Sequence, residues 1–157
     1  MHAANADLIK KFYSAFGKRD AETMATCYAD DVRFSDPVFE LVGDEARGMW
    51  RMLCERGEDL RLTHKVIAAD ETTGSAQWEA WYTFGATGRK VHNIIDANFR
   101  FQDGLIVEHH DHFDFYRWSR YALGFPGVLL GWSPMIRNKV RKTADHQLRK
   151  YLKRNAG

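Results

Sequence analysis

Apolar positions recur at helical spacing in the first third of the chain and at every second position in the middle third. Over residues 4–18, Leu8, Ile9, Phe12, Tyr13 and Phe16 fall on one face, and Gly17 closes the segment, which predicts a helix. Asp20 is placed to cap a second helix, Ala21 to Tyr28, with Glu22 and Thr23 in its first turn and Asp30-Asp31 as its stop. Val32 to Ser35 alternates as a short strand and enters a turn at Asp36-Pro37. Helical spacing returns over residues 44–56 through Ala46, Met49, Trp50, Leu53 and Cys54, up to Gly57.

From residue 60 the period becomes two. Leu62, His64, Val66 and Ala68 share one face of a predicted strand, and Ala76, Trp78, Ala80, Tyr82 and Phe84 share a face of the next. Lys90 to Phe101 forms a third long strand, Gln102-Asp103-Gly104 a hairpin signal, and Leu105 to Phe115 a fourth. Strands joined in sequence by tight turns, with helices gathered in front of them, predict an α+β fold: a curved, cone-shaped antiparallel sheet packed on N-terminal helices. After residue 116 the chain predicts a helical extension, 117–157. It consists of Tyr116 to Leu123, a break at Gly124-Phe125-Pro126-Gly127, an apolar patch from Val128 to Trp132, and a last helix capped by Ser133-Pro134 and running to about Arg154.

Charge separates the same two parts. The formal net charge of the 157 residues is +2, yet residues 117–157 hold ten Lys/Arg and one acid, leaving thirteen bases and twenty acids in residues 1–116. Two cysteines, Cys27 and Cys54, are too few for a disulfide scaffold and lack metal-ligand spacing, so both are expected as free thiols. The start of the chain, MHAANADLIKKFY, has no apolar run after its charges, and no stretch reaches the roughly 20 apolar residues of a membrane span. A cytoplasmic protein is expected.

Several local sequences resemble one family. Tyr28-Ala29-Asp30-Asp31-Val32, Asp36-Pro37-Val38, Phe99-Arg100-Phe101 and Gly104-Leu105-Ile106-Val107-Glu108-His109, in that order, resemble the nuclear-transport-factor-2-like cone. Within it, the ketosteroid-isomerase and SnoaL-like polyketide-cyclase branches are the most similar. The resemblance covers residues 6–116 and implies a pocket between the concave sheet face and the helices, with a homodimer formed through the outer sheet face. Ketosteroid isomerases use an aspartate general base against an oxyanion hole of a tyrosine and a protonated aspartic acid. The base matches Asp36. The tyrosine falls on Phe12, beside Tyr13, and the second acid falls on Ala97, beside Asp96, so this chain departs from the isomerase pattern at two of three positions.

Strand alternation from Phe99 and Phe101 turns Asn93, Ile95 and Ala97 into the cup. The family register turns Val107, His109, Asp111, Phe113 and Phe115 inward. The expected catalytic groups are Asp36 as base, with His109 and Asp111 as donor and orienter for a developing oxyanion. Tyr13, Trp50, His64, Trp78, Asn93 and Phe113 are the expected substrate-binding residues. The structural alternatives are a fixed turn at Asp36, a core role for His64, and, for His109 and Asp111, an outer-face or interface position in which they pair with Arg100 or with each other. In His109-His110-Asp111-His112, alternation puts His110 and His112 on one face and His109 and Asp111 on the other. At most two adjacent ligands converge, His92 being the one neighbour that could add a third, so no metal is expected. No cofactor motif is present.

The function implied is binding of a small apolar molecule, with cofactor-independent isomerisation or cyclisation of a carbonyl or polycyclic substrate, or epoxide opening. The rival is a non-catalytic binding module whose basic tail docks a partner. Residues 128–154 combine apolar and basic positions like a peripheral membrane anchor. The alternative is that the basic tail packs back on the acidic body or on a dimer mate by charge complementarity, and no nucleic-acid-reading motif accompanies the charge.

Overall fold

The computed structural model describes residues 1–156. The chain runs α1 (Ala3–Gly17), α2 (Ala21–Thr26), β1 (Tyr28–Ser35), β2 (Glu40–Val42), α3 (Asp44–Arg56), β3 (Arg61–Ala69), β4 (Thr73–Phe84), β5 (Arg89–Gln102), β6 (Leu105–His112), α4 (Phe115–Leu123), α5 (Phe125–Leu130) and α6 (Pro134–Asn155). The six strands form one sheet in the order β2-β1-β6-β5-β4-β3. All pairings are antiparallel except β1 with β6, which is parallel.

Local chemistry sets the corners. Asp20 accepts from the Thr23 N–H at 3.1 Å and starts α2. Between β5 and β6, Asp103 (φ 54°) and Gly104 (φ 77°) both take left-handed conformations, as a two-residue hairpin turn requires. Register shifts between Val66 and Ala68, between Arg100 and Phe101, and between Tyr28 and Arg33 bend the sheet. Helix α1 then lays Ile9, Phe12, Tyr13 and Phe16 into the concave face.

The structure moves several expected boundaries. Tyr28 is the first residue of β1, not the end of a helix, and its ring is buried. The bulge beside Phe101 puts Ile106 inside in place of Val107, and the bulge after Val66 leaves Ala68 exposed and buries Ala69. Strand β6 stops at His112, so Phe115 enters the core from α4. Residues Phe125–Leu130 form a short helix rather than an irregular patch.

Helix α6 is part of the core. Ser133 accepts from the Met135 N–H at 3.1 Å, Pro134 opens the first turn, and Ile136, Val140, Ala144, Leu148 and Tyr151 then form one buried or half-buried stripe. Its first half packs beside Val38, Tyr82 and Phe113, and its second half packs on α3. A Cβ on Gly48 would meet Leu152 Cδ2 at 2.3 Å, so the bare glycine admits the close crossing. An ion pair from Arg149 to Glu45 joins the basic tail to the acidic body. No helix among the described residues is long and apolar enough to cross a membrane.

Candidate functional site

Four side chains form a hydrogen-bonded file through the cup. Trp50 Nε1 on α3 donates to the Tyr28 hydroxyl at 2.8 Å, that hydroxyl lies 2.7 Å from His109 Nδ1, and His109 Nε2 lies 2.9 Å from Asp111 Oδ1. All four residues are buried, and His109 is fully so. One proton arrangement satisfies every contact. The indole N–H fills one acceptor site of Tyr28, the phenol donates to Nδ1, and the imidazole carries its proton on Nε2 toward Asp111. Both ring nitrogens of His109 are thereby engaged, and the end of the file is the Asp111 carboxyl on β6.

Rings hold this file in place. His109 sits 4.5 Å from Phe99, 5.1 Å from Phe34 and 5.4 Å from Phe12, and stacks on Trp50 at 6.0 Å between ring centroids. Burial, and next the charge of Asp111, raise the Tyr28 and Tyr13 hydroxyls well above the ordinary tyrosine value.

Asp36 lies in the turn between β1 and β2 and is half-buried. Its Oδ1 accepts from the backbone N–H groups of Val38 at 2.7 Å and Phe39 at 2.6 Å, so the carboxylate does fix the Asp-Pro-Val turn. Burial pushes its pKa up to about 7 against those two hydrogen bonds. The negative charge of Asp111 adds to the rise, and Arg141 of α6 opposes it.

The remaining expected residues line the same space. Tyr13 stacks on half-buried His64 at 5.7 Å and lies 5.7 Å from Trp78. The Tyr13 hydroxyl and the Trp78 indole N–H are buried without a hydrogen-bond partner. Burial lowers the His64 pKa. Asn93 is buried and Phe113 half-buried. Tyr82, which accepts from Trp118 Nε1 at 2.8 Å, is pushed up to about 12 by burial, and the Asp36 charge contributes. Asp96 faces outward, where Gln77 Nε2 donates to it at 3.1 Å.

Two members of this site escaped sequence reasoning. Asp30-Asp31 reads as a helix stop and so predicts Tyr28 at the end of a helix, yet the buried set Tyr28, Val32 and Phe34 is its strand signal. The Tyr82–Trp118 contact joins a strand to the extension and has no local signature. His110 meets Ser35 Oγ at 2.5 Å and His92 meets Glu79 at 2.9 Å. Among the described residues no group of three or more His, Cys, Asp or Glu could hold a metal ion.

The cup interior is largely filled by Phe12, Tyr13, Phe16, Trp50 and Trp78, whose rings touch one another. Two surface concavities, of about 710 and 480 Å3, both lie outside it.

A bent sheet wrapped around an N-terminal helix, with an aspartate turn at its edge, defines the nuclear-transport-factor-2-like cone. Within that class the chain belongs to the SnoaL-like domain family, which matches residues 9–109. The match ends before Asp111 and before α4 to α6.

Solved structures agree on the fold. A proposed polyketide cyclase from Xanthomonas campestris pv. campestris has a TM-score of 0.66 at 20% identity, covering 76% of this chain and 96% of its own. An LEH-like epoxide hydrolase from M. tuberculosis gives 0.62 at 20% identity over 85% and 96%. A proposed ketosteroid isomerase from Kribbella flavida gives 0.56 at 19% identity over 71% and 78%. No curated protein sequence matches the chain.

Proposed function

We propose that this SnoaL-like protein binds a small apolar carbonyl compound and moves a proton on it without a cofactor, as an isomerase or cyclase. The observation that carries this reading is the buried file Trp50–Tyr28–His109–Asp111, which holds a carboxyl among the aromatic rings of the cup. A core built for packing alone is better served by apolar side chains, because burying a carboxyl and an imidazole costs desolvation even where each finds a hydrogen-bond partner.

In this reading Asp36 takes a proton from the carbon beside the carbonyl. The C–H electron pair moves into the enolate, and Asp36 returns the proton to another carbon or to the product of ring closure. A carboxyl that titrates near neutrality is suited to both directions. The unpartnered Tyr13 hydroxyl and Trp78 N–H supply donors for the developing oxyanion. Asp111 is the second carboxyl facing the substrate. His109, with both nitrogens engaged, is a positioning residue.

One observation favours a second reading, a non-catalytic binding module. The cup is closed by its own rings, so substrate entry requires side chains such as Tyr13 and His64 to move. A thermal-shift panel of enones, polycyclic ketones, terpene epoxides and fatty acids separates the two. The catalytic reading expects a ketone to stabilise the wild type, with an altered shift in Asp36→Asn. Stabilisation by fatty acids alone, equal in both proteins, supports the module.

A further inference from the structure

The corner made by α4 and α5 turns its large apolar side chains outward. Phe125 is 72% exposed, Leu129 52%, Trp132 71% and Met135 62%. The cause is local: α5 rests on α4 through its glycines. A Cβ on Gly127 would lie 2.0 Å from the Ser119 carbonyl oxygen, and one on Gly131 would lie 1.9 Å from Ser119 Oγ. With the small residues against the body, the large ones face solvent. Hydrogen bonds hold the arrangement: the Tyr116 hydroxyl donates to the Val128 carbonyl at 2.8 Å, and Trp132 Nε1 donates to the Leu129 carbonyl at 2.9 Å.

A cleft of about 480 Å3 adjoins this knob, lined by Arg89, Arg117, Arg120 and Tyr121. Three guanidinium groups line it without a carboxylate. Aromatic rings and backbone position them: Arg120 lies over Tyr116 at 5.0 Å, Arg117 over Tyr121 at 5.6 Å, and Arg89 Nε donates to the Tyr121 carbonyl at 2.8 Å. Arg117 Nε is buried without a partner. Arg117 Nη2 lies 3.4 Å from His92 Nδ1, whose other nitrogen meets Glu79, and the Asp114 carboxylate caps the Arg117 backbone N–H at 3.0 Å. The Arg89 guanidinium packs against Gly124, the residue preceding α5, so cleft and knob adjoin.

We propose that this corner docks the protein on an anionic phospholipid surface, with Phe125, Leu129 and Trp132 entering the interface and Arg89, Arg117 and Arg120 taking lipid phosphates. Charge complementarity selects the occupant. Residues 115–144 contain six bases and no acid, so a second copy seated face to face would oppose cation to cation. An anionic bilayer meets both the apolar knob and its basic surround, and the pairing of an apolar insertion with a cationic patch is what holds peripheral proteins on membranes. The anchor is the knob rather than the whole of residues 128–154, because the apolar stripe of α6 is used inside the domain. This inference goes beyond the pocket chemistry and does not depend on it.

The test is sedimentation of the full chain with phosphatidylcholine vesicles, with or without about a third of phosphatidylglycerol. Wild type should bind the anionic vesicles and only weakly the zwitterionic ones. The triple variant Phe125→Ser/Leu129→Ser/Trp132→Ser should lose about tenfold or more in affinity. Because its sites are exposed, it should keep the far-UV circular dichroism and the cooperative thermal transition of the wild type. Arg89→Gln/Arg120→Gln should lose about fivefold for each cation removed, and with it most of the lipid preference. Absence of binding to anionic vesicles overturns the proposal. So does undiminished binding by the folded triple variant, or a wild-type dimer that the triple variant dissolves while neither protein binds vesicles.

Discussion

Tyr28 on β1 and His109 on β6 meet across the parallel pairing of the sheet, hydroxyl to Nδ1 at 2.7 Å. Tyr28 is the only link between His109 and Trp50 within the file, and removing its hydroxyl strands two buried nitrogens at once. Tyr28→Phe should therefore destabilise the fold by about 2–4 kcal/mol in urea unfolding. Trp50→Phe in the same background should cost less than it does alone, since the indole partner is already gone.

Asp36 should make stability fall as pH rises. Its folded pKa of about 7 lies above the ordinary aspartate value, so between about pH 4 and 7 the folded chain holds a proton that the unfolded chain has released. The contribution is most favourable below that window and is lost as pH climbs through about 7. Asp36→Asn keeps the acceptor for Val38 and Phe39 but cannot ionise. It should flatten that part of the profile and gain on the order of 2–4 kcal/mol relative to wild type at pH 8, read by urea melts across pH.

The free thiols should be silent in the native state. Cys27 and Cys54 are both buried, and burial raises both thiols, Cys54 to about 11. Titration with an aromatic disulfide reagent should be slow until denaturant is added and then show two equivalents.

Leu148 tests whether α6 belongs to the domain. It is fully buried in the cluster that also holds Met49, Trp50 and Phe16. Leu148→Ala should cost about 2–5 kcal/mol in a single unfolding transition. A separate early transition for the tail, with the body unaffected, would contradict this packing.

Periodicity carried much of the fold into view. The alternation through Asn93, Ile95, Ala97 and Phe99 placed β5 correctly because its face is buried over most of its length. Periodicity failed where a bulge reset the count, as at Phe101, where Ile106 displaced Val107. The buried positions of His109 and Asp111 followed from the register of the family resemblance, and the turn at Asp36 from the aspartate-proline pair. The Tyr28 link was hidden by a local helix-stop signal, and its partners His109 and Trp50 lie 81 and 22 residues away. The tail read as an amphipathic basic helix in either case. Only the packing of α6 on α3, admitted by Gly48, shows which apolar residues are used inside and which remain outside.

The most direct test of the central claim is exchange of carbon-bound hydrogen in D2O. Cyclic enones and ketones that stabilise the protein would be followed by proton NMR with wild type and Asp36→Asn. The account predicts catalysed exchange beside the carbonyl that rises as Asp36 ionises through about pH 7, and a loss of about 100-fold or more in Asp36→Asn. Exchange no faster than in buffer for every stabilising ketone, or equal rates in the two proteins, would contradict it.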